Sequence, residues 1–278
     1  MDIDLSFDEE NPMALKADFI LSLMELIVGG KDGLQPIEKT VIDRCVRLIY
    51  RDMALGIGDG KPPLLQDLYE ELLKQPEPEA RDVALAIELF TEGSLNTFAK
   101  PTNVDTNSRI LCYDIRDLGK QLLPVGMLVV LDSVFNRIIR NRRLGRSTWV
   151  YIDEIYLLFQ HEYSANFLFT LWKRVRKYGA CCTGLTQNVD DLLQSHTART
   201  MLANSEFLVM LNQASTDRAE LARLLNISDN QLSYITNVDF GRGLIKCGSA
   251  IVPFMDHFPK NNLYRLMSTK PSEADAAV

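Results

Sequence analysis

Between positions 13 and 108 the apolar residues recur at helical spacing, and no segment alternates with the period of a strand. Residues 14–28 read as an apolar-rich helix closed by Gly29-Gly30, a C-terminal stop signal. Residues 36–55 read as a second helix, with Pro36 in its first turn and Ile37, Val41, Ile42, Cys45, Leu48 and Ile49 at helical intervals. Two shorter amphipathic helices are predicted over 64–74 and 79–91, separated by the breaker Pro76-Glu77-Pro78. From Arg109 the texture changes. Short apolar runs at 110–114, 148–153, 181–186 and 205–211 read as strands, with helices at 126–143 and 164–177 between them. Helices at 217–225 and 228–236 then lead to a hairpin pairing 243–246 with 251–254. The alternation predicts an α/β unit built on a mostly parallel sheet with helices on both faces. The organisation expected is a helical part over 1–108, an α/β part over 109–265 and a tail over 266–278.

Charge narrows the partners. A net charge of −7 on 278 residues repels a phosphate backbone, so any nucleic-acid contact needs a local basic patch. Arg137, Arg140, Arg142, Arg143 and Arg146 are such a patch, at the end of the long helix. It reads either as a solvated helix end or as a surface for DNA, a pore or acidic partners, and it lacks the interleaved aromatics that stack bases. Cys45, Cys112, Cys181, Cys182 and Cys247 show no metal-ligand spacing and read as reduced core thiols. The apolar run 19–28 contains Ser22 and Glu25 and is about half the length a bilayer needs, so a soluble chain is expected.

The chemistry concentrates in Thr148-Trp149-Val150-Tyr151-Ile152-Asp153-Glu154. An apolar strand ending in Asp-Glu is the Walker B arrangement, opening on the crevice where α/β sheets bind ligands. Asp153 would hold Mg²⁺, a hard cation that prefers oxygen. Glu154, turned the other way by strand alternation, would polarise the water that attacks a γ-phosphate. The next strand ends in Thr186-Gln187, which places Gln187 for sensing that phosphate. The plain alternative is a strand that ends in solvated acids beside a bland Gln. A phosphate cradle of the Gly-Lys-Ser/Thr kind is missing, since Gly29-Gly30-Lys31-Asp32-Gly33 has the wrong spacing and follows a helix.

Several segments together resemble a known family. They are Asn11-Pro12-Met13-Ala14-Leu15-Lys16, Gly93-Ser94-Leu95-Asn96, Tyr113-Asp114-Ile115-Arg116-Asp117-Leu118-Gly119, Tyr151-Ile152-Asp153-Glu154 and Arg176-Lys177-Tyr178-Gly179. Their order resembles the VirB/TraE-like ATPases of type IV secretion systems and conjugative transposons, kin of the HerA/FtsK motors. The resemblance implies a RecA-like P-loop NTPase core truncated at its first strands, plus a helical subdomain, because in that family the Walker A loop lies upstream of the segment matched here. It implies ATP and Mg²⁺ as cofactors, with Asp153 as metal residue, Glu154 as catalytic carboxylate and Gln187 as sensor. An arginine reaching a neighbour's nucleotide is also implied. Arg174 and Arg176 are the candidates and Arg242 the alternative, although Arg174 and Arg176 could equally complement their helix end. The function implied is ATP hydrolysis that powers DNA or protein transfer or pilus assembly. A DNA-pumping coupling ATPase and a non-catalytic interaction module are the alternatives. The implied partners are further copies in a hexamer and other channel subunits at the inner face of the membrane, with DNA disfavoured by the charge. The expected location is cytoplasmic and peripheral to that membrane.

Overall fold

The computed structural model describes residues 12–30, 32–57, 61–160, 162–187, 189–213 and 215–267, in two compact units, Met1–Thr186 and Gln187–Val278. The first unit opens with four helices, α1 (Pro12–Ile27), α2 (Pro36–Ala54), α3 (Leu65–Leu73) and α4 (Pro78–Thr91). Their apolar stripes meet in one core where Ile20, Met24, Ile42, Val46, Tyr50, Leu68, Leu72 and Ile87 are fully buried. Each large aliphatic side chain removed from water there contributes about 1.5–3 kcal/mol. The helix starts are secured locally, as Glu38 accepts the Gln35 N–H at 2.7 Å and Asp67 accepts the Leu64 N–H at 2.6 Å. The turn after α1 closes on buried Glu25, which accepts the Leu34 N–H at 2.9 Å and pairs with Lys39 at 3.6 Å.

A long helix, α5 (Gly119–Arg143), ties this core to the α/β part. Its Val125 and Leu128 belong to the helical core, while farther along Phe135 meets Tyr178 edge-on at 5.7 Å. Between the two ends, Lys16 of α1 donates to Asp132 at 2.8 Å, with Lys16 only 3% exposed. Asn136 also donates to the same carboxylate, so the buried charges are paired and hydrogen-bonded. Helix α5 is long and apolar enough to cross a membrane by length and composition, although Leu122, Val125, Leu128, Leu131, Ile138 and Ile139 are buried within the protein.

Strand β1 (Thr148–Ile152) pairs in parallel with β2 (Ala180–Gly184), in the register Thr148↔Ala180 to Ile152↔Gly184. The crossover carries a 3₁₀ turn (Ile155–Phe159), helix α6 (Glu162–Arg174) and a second 3₁₀ turn (Val175–Tyr178). The second unit holds α7 (Val189–Gln194), α8 (His196–Ala203), β3 (Phe207–Met210), α9 (Ser215–Leu225) and α10 (Asp229–Leu232). It continues with β4 (Arg242–Cys247), β5 (Ala250–Met255) and α11 (Asn262–Met267). Its three strands form an antiparallel sheet in chain order, with Met210 and Leu244 packed against Leu221, Leu225, Ile227 and Ile235.

The structure departs from the sequence reading at several points. Residues 110–114 form no strand, and Ile110 is 87% exposed. Instead Arg137 donates to the carbonyls of Thr106, Asn107 and Ser108, clasping the preceding loop. Helix α5 starts at Gly119 and runs through Pro124, upstream of the expected start at 126. Parallel pairing among the described residues is confined to β1 and β2, and β3 pairs antiparallel with β4. Of the cysteines only Cys45 lies in the core, and Cys182 is half-buried. Cys112, Cys181 and Cys247 are exposed, the last two because the outer faces of their strands are open. The predicted tail after 267, and Lys31 in the rejected glycine loop, lie outside the described residues.

Candidate functional site

The apolar alternation of β1 stops at Ile152, and the carboxylates come next. Leu185, just past β2, holds both sides of the step. Its N–H donates to the Ile152 carbonyl at 2.8 Å, and its carbonyl accepts the Ile155 N–H at 2.9 Å. One residue of β2's extension is thus spanned by Ile152 through Ile155, so Asp153 and Glu154 are looped out of the ladder at the strand's C-terminal end. Strand alternation therefore does not set the direction of Glu154, contrary to the sequence reading. The turn does: Glu154 sits in the left-handed region at φ 49°, ψ 45°. Its N–H donates to Asp153 Oδ1 at 3.0 Å, and its carbonyl accepts the Leu157 N–H at 3.0 Å to start the following 3₁₀ turn.

Two residues that sequence reasoning missed make this loop possible. Ile155 is buried, and its side chain occupies the space above Gly184, where an added Cβ would lie 2.5 Å from Ile155 Cδ1. An isolated glycine inside a strand was the available signal, since it marks a close approach. The site therefore rests on a seat, Gly184, a plug, Ile155, and a hydrogen-bonding hinge, Leu185.

Neither Asp153 nor Glu154 makes an ion pair among the described residues, and Asp153 is exposed. An exposed carboxylate with Oδ1 fixed by a backbone N–H suits Mg²⁺, which binds through one or two carboxylates, water and phosphate oxygens. No group of three or more His, Cys, Asp or Glu residues able to hold a metal by themselves occurs among the described residues.

The other candidates are placed as follows. Gln187 is exposed, follows β2 by three positions and opens the second unit. Arg174 ends α6 and faces α1: burial raises the Asp18 carboxyl, and the Arg174 charge pulls it back down. Arg176 is exposed in the 3₁₀ turn before β2. Arg242 begins β4 in the second unit, 3.6 Å from Asp239. Within the first unit the structure joins Asp153 and Glu154 in one loop, and Arg174 lies close enough to α1 for its charge to act on Asp18.

The solved structure of VirB4 from Thermoanaerobacter pseudethanolicus is similar to this chain with a TM-score of 0.76 and 24% identity, over 89% of this chain and 70% of that one. The likeness bears out the mixed α/β fold, with its many helices and small parallel sheet. A search of curated proteins finds no match. The family profile of the TraG P-loop domain matches residues 99–242, more than half of the 278, and the chain belongs to that family, a P-loop motor type of the kind its motif order resembles.

Proposed function

We propose that this chain is the carboxylate-bearing half of an ATP-hydrolysing motor of conjugation and type IV secretion, with its phosphate loop supplied by sequence outside these 278 residues. The observation that carries the reading is the Asp153-Glu154 loop, held out of the β1–β2 ladder by Leu185 in a member of a P-loop family. In this reading β1 is the Walker B strand. Asp153 holds Mg²⁺ bound to ATP, Glu154 accepts hydrogen bonds from the attacking water, and Gln187 senses the γ-phosphate. The metal, when bound, neutralises charge that builds on the phosphate oxygens. Copies assemble into a ring, a hexamer by resemblance, and Arg174, Arg176 or Arg242 serves the neighbour's nucleotide. The assembly works at the cytoplasmic face of the membrane against channel subunits, and moves DNA or protein or builds a pilus.

A second reading is an interaction module without turnover. Calorimetric titration of Mg-ATP separates the two. The motor reading expects binding by a protein extended upstream through the loop and little by this chain alone. In the extended protein, Glu154→Gln should bind ATP normally and lose at least about a hundredfold in turnover. An extended protein that binds no nucleotide, or a Gln variant with near-normal turnover, would overturn the motor reading.

A further inference from the structure

We propose that the end of the second unit that carries the Phe240 turn and helix α11 docks on an anionic lipid surface. Helix α11 buries none of its residues. Leu263, Leu266 and Met267 fall at helical intervals on one face and are 53%, 71% and 67% exposed. Arg265 lies on the opposite face by the same spacing. The segment is ordered by local bonds all the same. Asn261 Oδ1 accepts the Tyr264 N–H at 3.0 Å, and the Asn261 carbonyl accepts the Arg265 N–H at 3.2 Å. The rings of Phe258 and Tyr264 lie 6.3 Å apart. The helix thus holds its shape by its cap and leaves its apolar side free.

A further apolar side chain projects at the same end of the β4–β5 hairpin. The Asp256 N–H donates to the Gly241 carbonyl at 2.7 Å, which joins the chain entering β4 to the chain leaving β5. Gly241, at φ +79°, permits this approach, since an added Cβ would collide with the Asp256 carbonyl oxygen. Phe240 immediately precedes the joint and is fully exposed, and Phe258 follows it and is half-exposed. The fold therefore sends large apolar side chains outward from both chain segments that meet there.

Charge selects the partner. In a chain of net charge −7, the segment from His257 to Met267 holds no acid, and its Lys260 and Arg265 are exposed. The acids next to it are Asp256 and Asp239, the latter 3.6 Å from Arg242. Basic heads on long stems, alternating with protruding apolar and aromatic side chains, are the composition that enters a headgroup layer. Anionic lipid attracts the bases, and fluid acyl chains accept the apolar groups without a matching pocket. A second copy presenting the same end would set Lys260 and Arg265 against like charges. A nucleic acid would leave Leu263, Leu266 and Met267 in water. The proposal rests on the membrane-side placement proposed above and not on ATP hydrolysis. A chain held at the membrane by channel subunits alone would fail to bind lipid and leave that reading intact.

The test is flotation of the whole chain, without nucleotide, on vesicles of phosphatidylcholine alone or with about one part in three phosphatidylglycerol. Wild type should bind the anionic vesicles at least about tenfold more tightly than the neutral ones, and binding should weaken from about 50 to about 500 mM salt. Lys260→Glu/Arg265→Glu and Leu263→Ser/Leu266→Ser should each lose at least about tenfold, and Phe240→Ser should weaken binding in the same direction. All five positions are exposed, so unchanged circular dichroism spectra are expected of the variants. Reversing Lys100 and Arg109, exposed bases of the first unit, should leave binding unchanged. Wild type that ignores anionic vesicles, or binds neutral ones equally, would overturn the proposal. So would a Lys260/Arg265 or Leu263/Leu266 variant that binds like wild type, or an equal loss on reversing Lys100 and Arg109. Binding of a labelled DNA duplex that depends on Lys260 and Arg265, with no vesicle binding, would assign the surface to nucleic acid instead.

Discussion

Glu154 is held in a backbone conformation that L-residues avoid. Its φ of 49° and ψ of 45° cost a non-glycine residue about 1–2 kcal/mol relative to the right-handed region. The chain tolerates this because the Leu185 hydrogen bonds on both sides and the Asp153 Oδ1 contact over-determine the turn. Such strain is retained where it aims a side chain, and here it aims a carboxylate out of the ladder. Replacing Glu154 with Gly removes the penalty, whereas a β-branched residue increases it. Glu154→Gly is expected to raise folding stability by about 1 kcal/mol and Glu154→Val to lower it by at least as much, read from urea midpoints. A glycine variant less stable than wild type would mean that the Glu154 side chain itself contributes to the fold.

At the scale of elements, the loop is a joint between β1 and β2, and Gly184 decides whether it closes. A methyl group at 184 would meet Ile155 Cδ1 at 2.5 Å. Gly184→Ala is therefore expected to destabilise by about 1–3 kcal/mol through overpacking. Adding Ile155→Val removes the colliding methyl and should restore most of the loss. A double mutant no more stable than Gly184→Ala would show that the seat is not where the cost arises. This joint was only half legible in the sequence. The apolar run and its Asp-Glu ending are local features, so strand, position and chemistry could be read from them. The left-handed turn depends on Leu185, 31 positions along the chain from Glu154, and alternation alone does not describe it. Periodicity likewise located the four N-terminal helices within a few residues, because each buries one stripe against the same core. It failed at 110–114, whose apolar composition suggested a strand although none forms there and Tyr113 instead meets Ser133 of α5 at 2.9 Å.

Across the whole molecule, the two units have separate cores and separate sheets. The first centres on the α1–α4 cluster with α5, and the second on Met210, Leu244, Leu221, Leu225 and Ile235. Strand β1 shows why the sequence left the sheets' completeness open. Its pattern promised a strand covered on both faces, yet Trp149 and Tyr151 are exposed, 65% and 68%, on the face opposite Val150. A strand's residues state which side can be buried, and what buries it is a matter of other segments. The division into units has a direct spectroscopic consequence. Both tryptophans, Trp149 and Trp172, lie in the first unit, so tryptophan fluorescence follows that unit alone. Far-ultraviolet circular dichroism follows the helices of both. Two cores that melt independently must give non-coincident denaturation curves for the two probes, because the two-state condition fails for the whole chain while holding for each part. The circular dichroism transition should accordingly be broader than the fluorescence transition in urea, or resolve into two steps. Superimposable curves would mean that the two units unfold as one cooperative body. The second unit's small core would then draw its stability from the first, and Gln187, at the junction, would lie inside a single cooperative structure.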